Sequence, residues 1–236
     1  MTVVFSRRTL LAGLAMLLDG CATSRMPAPP IAPLAAGGFS AEASAYGPIP
    51  DEPYPIPALD LAEIDADLLR QEVSFGGPYR PGTIVVNIAE RRLYLVQPGG
   101  RALRYAVGVG REEALNFRGA AVIGRKAEWP RWTPTASMIA RLPNYADYVG
   151  GMPGGLDNPL GARALYLYRA DKDTHFRLHG TNEPTTIGTA VSSGCIRLFN
   201  HDIIDLYNRV PLGAPVVVLQ QEFGPRPEPQ DDLSQF

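Results

Sequence analysis

The chain has 236 residues, room for one full domain with extensions or two small ones, and too few for a long repeat array. With 45% hydrophobic and 19% charged residues it can pack a core and is not a wholly disordered polymer. Its 24 glycines and 23 prolines, well above average usage, point to a folded domain with loose ends. The net charge of −2 and the lack of Lys/Arg clusters beyond pairs such as Arg91-Arg92 leave no footprint for nucleic acid. Only two cysteines are present, Cys21 and Cys195, which rules out a disulfide framework.

Residues 1–24 carry Arg7-Arg8 ahead of a ten-residue apolar stretch, 9–18. That stretch is too short to span a bilayer, which takes about 20 apolar residues, and reads as an export signal. Ser6-Arg7-Arg8-Thr9-Leu10-Leu11 resembles the twin-arginine signal used for export of folded proteins. Leu18-Asp19-Gly20-Cys21 resembles a lipobox with an acidic departure at Asp19, and the alternative is ordinary cleavage after Ala22. Both routes deliver an envelope protein, touching the membrane only through its signal or a lipid at Cys21. Residues 26–57, rich in Pro, Ala and Gly, show no periodicity and read as a linker or plain extension.

Apolar residues at Leu61, Ile64, Leu68 and Leu69 predict a short helix over 60–71. Segments 83–88, 92–97 and 102–108 are β-branched or aromatic and predict two successive hairpins. A loop over 148–163, with Gly150-Gly151-Met152-Pro153-Gly154-Gly155, is expected to act as a flap or a wall of the site. Further strands are expected at 164–168, 175–180 and 216–220, with Asp171-Lys172-Asp173 as a turn. Two helices are expected, 135–142 between prolines, and 201–209 capped by Asn200. Short connections make the sheet mainly antiparallel, a mainly β domain with a few short helices.

The chemistry lies in His179-Gly180-Thr181 and Ser192-Ser193-Gly194-Cys195-Ile196-Arg197. A cysteine needs a base or cation beside it to become a thiolate at neutral pH, and imidazole is the common device. Cys195 is thus the expected nucleophile and His179 its base. The backbone N–H groups of Ser193, Gly194 and Cys195 could stabilise an oxyanion. No acidic residue adjoins the motif, so the carbonyl of Gly180 is expected to orient the imidazole.

These residues resemble the signature of the L,D-transpeptidases, the YkuD-domain family of bacterial cell-wall enzymes. The likeness continues through Pro81-Gly82-Thr83, Trp129-Pro130-Arg131-Trp132, Asn158-Pro159-Leu160-Gly161 and Val216-Val217-Val218. The resemblance implies a β-sandwich-like catalytic domain without a cofactor or metal. It also implies a thiolate attacking the L-centre carbonyl of diaminopimelate in a peptidoglycan tetrapeptide stem, release of D-Ala, and a thioester. A second stem, a lipoprotein lysine or water then resolves the thioester. Arg197 would organise the site or bind a substrate carboxylate, with Arg177 and Ser192 as further substrate contacts. The expected division is signal 1–24, linker 25–58, helical lead-in 59–80, catalytic domain 81–220 and disordered tail 221–236.

Blander roles compete at several positions. Arg197 could simply pair with an acid, Trp129 and Trp132 read as core packing ahead of site wall, and His201 reads as solvent-facing. His175 and His179, four apart on a strand, would stand about 13 Å apart, too far for one zinc. A cysteine peptidase or thioesterase would use the same thiol and imidazole, whereas a non-catalytic wall-binding lipoprotein would need neither.

Overall fold

The computed structural model describes residues 44–111, 116–141, 143–192 and 194–220. The expected signal, the first part of the linker, the tail and Ser193 lie outside them. Strands β1 (Gln71–Ser74), β2 (Ile84–Asn87), β3 (Arg92–Gln97) and β4 (Arg101–Ala106) are followed by β5 (Val109–Gly110) and β6 (Gly119–Glu128). Then come helix α1 (Ala136–Arg141), β7 (Arg163–Arg169), β8 (Lys172–His179), β9 (Ala190–Ser192), β10 (Ile196–Arg197), helix α2 (Asn200–Arg209) and β11 (Pro215–Leu219). Short 3-10 turns occupy Ala66–Leu68, Pro143–Tyr148 and Pro184–Thr186.

Nine strands hydrogen-bond in the order β1-β4-β3-β2-β11-β6-β7-β8-β10, with β5 and β9 forming a separate pair. Most pairings are antiparallel, as short connections require, while β11 joins β2 and β10 joins β8 in parallel. One core holds Ile84, Val86, Leu93 and Leu95 from one half of the sheet and Ile123, Leu165, Leu167 and Leu178 from the other. Ile203 and Leu206 of α2 enter the same core, so the sheet curls around it and the helix. The domain is mainly β with few helices. At the far end of α2, Lys126 Nζ donates to the carbonyls of Tyr207 and Val210 at 2.6 and 2.8 Å, a cation on the helix's negative end.

Two irregularities set which residues face away from the core. β6 pairs Ile123 with Leu167 and then Arg125 with Tyr166, so Gly124 is an extra residue. A Cβ at Gly124 would fall 2.2 Å from Tyr168 Cγ, which only glycine avoids. β8 bulges as well: Tyr168 opposes Asp173 but Tyr166 opposes Arg177, and His175 within the bulge takes a φ of 64°. The β7–β8 hairpin turns through Ala170 and Asp171, φ 46° and 61°, with Arg169 opposite Lys172. The expected turn at 171–173 therefore lies one residue earlier.

Other expectations are corrected. Residues 60–71 do not form a helix. Asp60 and Asp65 side chains accept from the backbone N–H groups of Ala62 and Asp67 at 3.0 and 2.9 Å, local bonds that compete with a helical ladder. The chain makes one 3-10 turn and enters β1, and Leu61, Ile64, Leu68 and Leu69 pack with Tyr46 and Phe199. The linker expectation fails over 44–58. There Tyr46 is buried and donates to Asp202 at 2.8 Å, and Glu52 pairs with Arg163 at 2.5 Å with both side chains nearly covered. Asn200 does not cap α2, which has Phe199 at its N-cap position without a side-chain bond.

Candidate active site

β8 delivers the histidine and β10 the cysteine. In their parallel register Ile196 lies opposite Leu178 and Arg197 opposite His179. Ile196 and Leu178 are buried in the core, so strand alternation sends Arg197 and His179 to the other face. Across β7, Ala164 opposes His179 and Tyr166 opposes Arg177, which places those four on that face too. Cys195, Ser192, His179, Arg177 and Arg197 line one cleft, closed by Trp132, Met138, Tyr145, Pro159 and Leu160.

The imidazole is fixed by its own neighbour. His179 Nδ1 lies 2.6 Å from the Gly180 carbonyl oxygen. A carbonyl only accepts, so Nδ1 carries the hydrogen and Nε2 keeps a free lone pair. Asn200 braces this corner, accepting from Ala162 N–H at 3.0 Å and donating to the Thr181 carbonyl at 3.0 Å. A Cβ on Gly180 would sit 2.2 Å from Asn200 Oδ1, so the position requires glycine. Burial pushes His179 down to about 3, Gly180 opposing and Arg197 and Arg177 adding to the effect. The imidazole is therefore neutral at physiological pH.

Burial also pushes the Cys195 thiol up, while the charge and hydrogen bonding of Arg177, together with the charge of Arg197, pull the other way. Both shifts favour a neutral thiol and a neutral imidazole in the same resting cleft. Desolvation of a half-buried sulfur outweighs two guanidinium groups. Cys195 is a free cysteine.

The turn before Cys195 corrects two further expectations. Ser192 Oγ donates to the Cys195 carbonyl at 2.7 Å and accepts from Gly194 N–H at 3.1 Å. Its hydroxyl thus holds the turn instead of reaching for substrate, and the Gly194 N–H is occupied. Ser193, the other expected donor, lies outside the described residues. Gly194 itself takes a φ of 122°, a conformation that favours glycine.

Arg197 is engaged: its Nη1 donates to Glu183 at 2.8 Å and lies 3.5 Å from Thr186 Oγ1. Trp132 is buried, as the core reading has it, and also forms cleft wall, edge-on to Tyr145 with ring centroids 5.0 Å apart, whereas Trp129 packs with Ile56 and Ala162. The glycine-rich loop contributes Pro159 and Leu160 as wall. Asn158 anchors it, donating to the carbonyls of Pro130 and Pro153 at 3.0 and 2.8 Å and accepting from Leu160 N–H at 2.8 Å. His201 is buried, not solvent-facing, and its Nε2 donates to the Gly47 carbonyl at 2.8 Å. Met138 and Tyr145 were not anticipated as cleft residues. Their signal was two apolar side chains in a short helical pair beside Trp132.

The family model for the YkuD L,D-transpeptidase catalytic domain matches residues 81–218. Among curated relatives, "Probable L,D-transpeptidase ErfK/SrfK" of Escherichia coli K12 is 38% identical over 143 residues, 58% of this chain and 44% of that protein. "Probable L,D-transpeptidase YcfS" of the same strain is 38% identical over 150 residues, 62% of this chain and 46% of that protein. The chain thus spans less than half the length of either. A solved structure from Brucella melitensis, named a probable carnitine operon oxidoreductase, is 50% identical, with 68% of this chain and 99% of that one covered at a TM-score of 0.46. That name is the Brucella protein's own. The signature around His179 and Cys195 lies inside the matched span, and the chain belongs to the L,D-transpeptidase catalytic-domain family.

Proposed function

We propose that this chain is an envelope L,D-transpeptidase that transfers peptidoglycan stem peptides through a thioester on Cys195. The observation that carries the reading is the Nδ1–H bond to Gly180 at 2.6 Å, which leaves Nε2 as a lone-pair base in the cleft that Cys195 lines. Cys195 Sγ adds to the L-centre carbonyl of diaminopimelate as its proton passes to Nε2. The C–N bond to D-Ala breaks, and that proton leaves with the amine. An acceptor amine then adds to the thioester, the C–S bond breaks, and the acceptor's proton returns through the imidazole to sulfur.

A histidine this reluctant to hold a proton serves as a relay, surrendering it at once to the leaving amine. The Cys195 N–H is the described backbone donor that this reading gives to the oxyanion. The expected signal and lipobox support delivery to the periplasm. A second stem as acceptor gives a 3→3 cross-link, and a lipoprotein lysine gives an anchor. With water as acceptor the same site would act as a carboxypeptidase.

Mass analysis of products from disaccharide tetrapeptide with the purified protein and its Cys195→Ala variant tests the proposal. Cysteine-dependent loss of D-Ala with a 3→3 dimer is expected. Cysteine-dependent loss of D-Ala alone would move the assignment to hydrolysis or a different acceptor, and no reaction would overturn it.

A further inference from the structure

Two arginines reach the cleft, and they are not equivalent. Arg197 already faces the Glu183 carboxylate at 2.8 Å. Arg177 has a buried Nε without a hydrogen-bond partner, and among the described residues no carboxylate pairs with it. Its guanidinium carbon stands 5.0 Å from the Tyr166 ring centroid. From the opposite neighbouring strand, Arg125 lies 3.5 Å from the same centroid. Both arginines pair with Tyr166 in register, and both owe that register to the bulges at Gly124 and His175. Tyr166 itself is 4% exposed, so its ring is a fixed platform that limits the freedom of both cations. Two guanidinium groups on one buried ring make a positive spot, and Arg177 carries it into the cleft that Cys195 lines.

We infer that Arg177, held by the Tyr166 ring with Arg125 behind it, is the carboxylate-binding and specificity-determining residue for the donor stem, a role that Arg197 leaves to it. The inference rests on the proposed function. Its ligand is a free carboxylate of the stem, carried either on the diaminopimelate side arm or on the terminal D-Ala. A planar guanidinium meets a carboxylate through two parallel hydrogen bonds; Arg177 also hydrogen-bonds the Cys195 thiol, and its Nε is left without a partner. Arg125 acts through the ring as a positioning residue.

Calorimetric binding of the tetrapeptide, and of analogues amidated at the side-arm or the terminal carboxylate, to the Cys195→Ala protein tests this without needing turnover. One of the two amidations is expected to weaken binding about tenfold, and the arm that responds identifies the carboxylate. Adding R177Q should abolish the difference between acid and amide, R177K should keep part of it, and R125Q should shrink it about threefold. Thermal melting of each variant separates unfolding from lost recognition, and the retained discrimination of R177K guards against a misfolded R177Q. An unchanged acid-to-amide ratio in R177Q, equal weakening of acid and amide, or no stem binding by the parent would each overturn the assignment. Carboxylate-dependent binding alongside an inert Cys195-intact protein would sustain the subsite and sink the transferase reading.

Discussion

In the cleft, His179 and Arg177 keep an acceptor and a donor uncommitted, whereas in the N-terminal wrap over 44–70 most polar groups are bound to one another, Arg70 Nη1 and Asp202 Oδ2 being left without hydrogen bonds. There Tyr46 donates to Asp202 and accepts from Arg70 N–H at 2.6 Å, Arg70 lies 3.2 Å from Asp205, and Tyr105 donates to Asp205 at 2.7 Å. Burial shifts ionisation in both places. In the wrap the consequence is cohesion, and in the cleft it is a thiol and an imidazole both held neutral. Mutations should therefore divide cleanly, with cleft variants losing turnover at unchanged melting temperature and wrap variants melting early with normal kcat once folded.

The largest effects should come from the cleft. Cys195→Ala or His179→Gln is expected to lower kcat/KM about 10³-fold or more with little change in Tm, measured by D-Ala release and calorimetry. An equal loss of Tm would erase the contrast. In the wrap, Glu52→Ala leaves Arg163 buried and unpaired, and chemical denaturation should register a loss of about 3–5 kcal/mol. Tyr46→Phe removes a single hydroxyl from Asp202 and should cost about 1–3 kcal/mol, again with kcat unaltered.

Acid and base should separate the regions further. Burial pushes Asp202 up from 3.8 to about 7, against the pull of Arg70 and Tyr46. Its folded form holds the proton more tightly, so its contribution is full below pH 3.8 and is lost as pH rises through 7. The Tm of wild type should accordingly fall relative to Asp202→Asn across that window. His179 has the opposite sign. Its depressed pKa gives stability that is present above 6.5 and lost as pH falls towards 3. For Cys195, iodoacetamide labelling should be slow at pH 7 and climb only above the ordinary thiol range near 8.5. Fast labelling at pH 6 would contradict the neutral resting pair. The smallest effect is expected for Glu183→Gln, an ion pair whose acidic side chain is 55% exposed, worth under about 1 kcal/mol in denaturation.

Local chemistry was legible in the sequence where one residue determines its own surroundings. The order His-Gly-Thr, then Ser-Ser-Gly-Cys, located the cleft, and Gly180 as the imidazole's partner followed from the lack of an adjacent acid. β6 was not foreseen because Gly124 breaks its alternation: Ala121 and Ile123 signal a strand, and Gly124-Arg125 interrupts the pattern. The wrap was hidden for another reason. Tyr46 and Glu52 sit among prolines, and their partners Asp202 and Arg163 lie more than a hundred positions away. Helical spacing at 61–69 misled because Asx bonds from Asp60 and Asp65 overrule propensity locally. The engagement of Arg197 with Glu183 and the placing of Arg177 on Tyr166 depend on register, which the β8 bulge shifts by two residues and which composition does not record.

The β7–β8 hairpin turns through two left-handed residues, Ala170 and Asp171, neither of them glycine or asparagine. That turn lies at the opposite end of the eight-residue β8 from His179, about 23 Å along the strand. It is a handle for engineering: Asn-Gly in place of Ala170-Asp171 relieves a backbone penalty on the order of 1 kcal/mol. An affinity tag or surface linker grafted there would leave the cleft unobstructed.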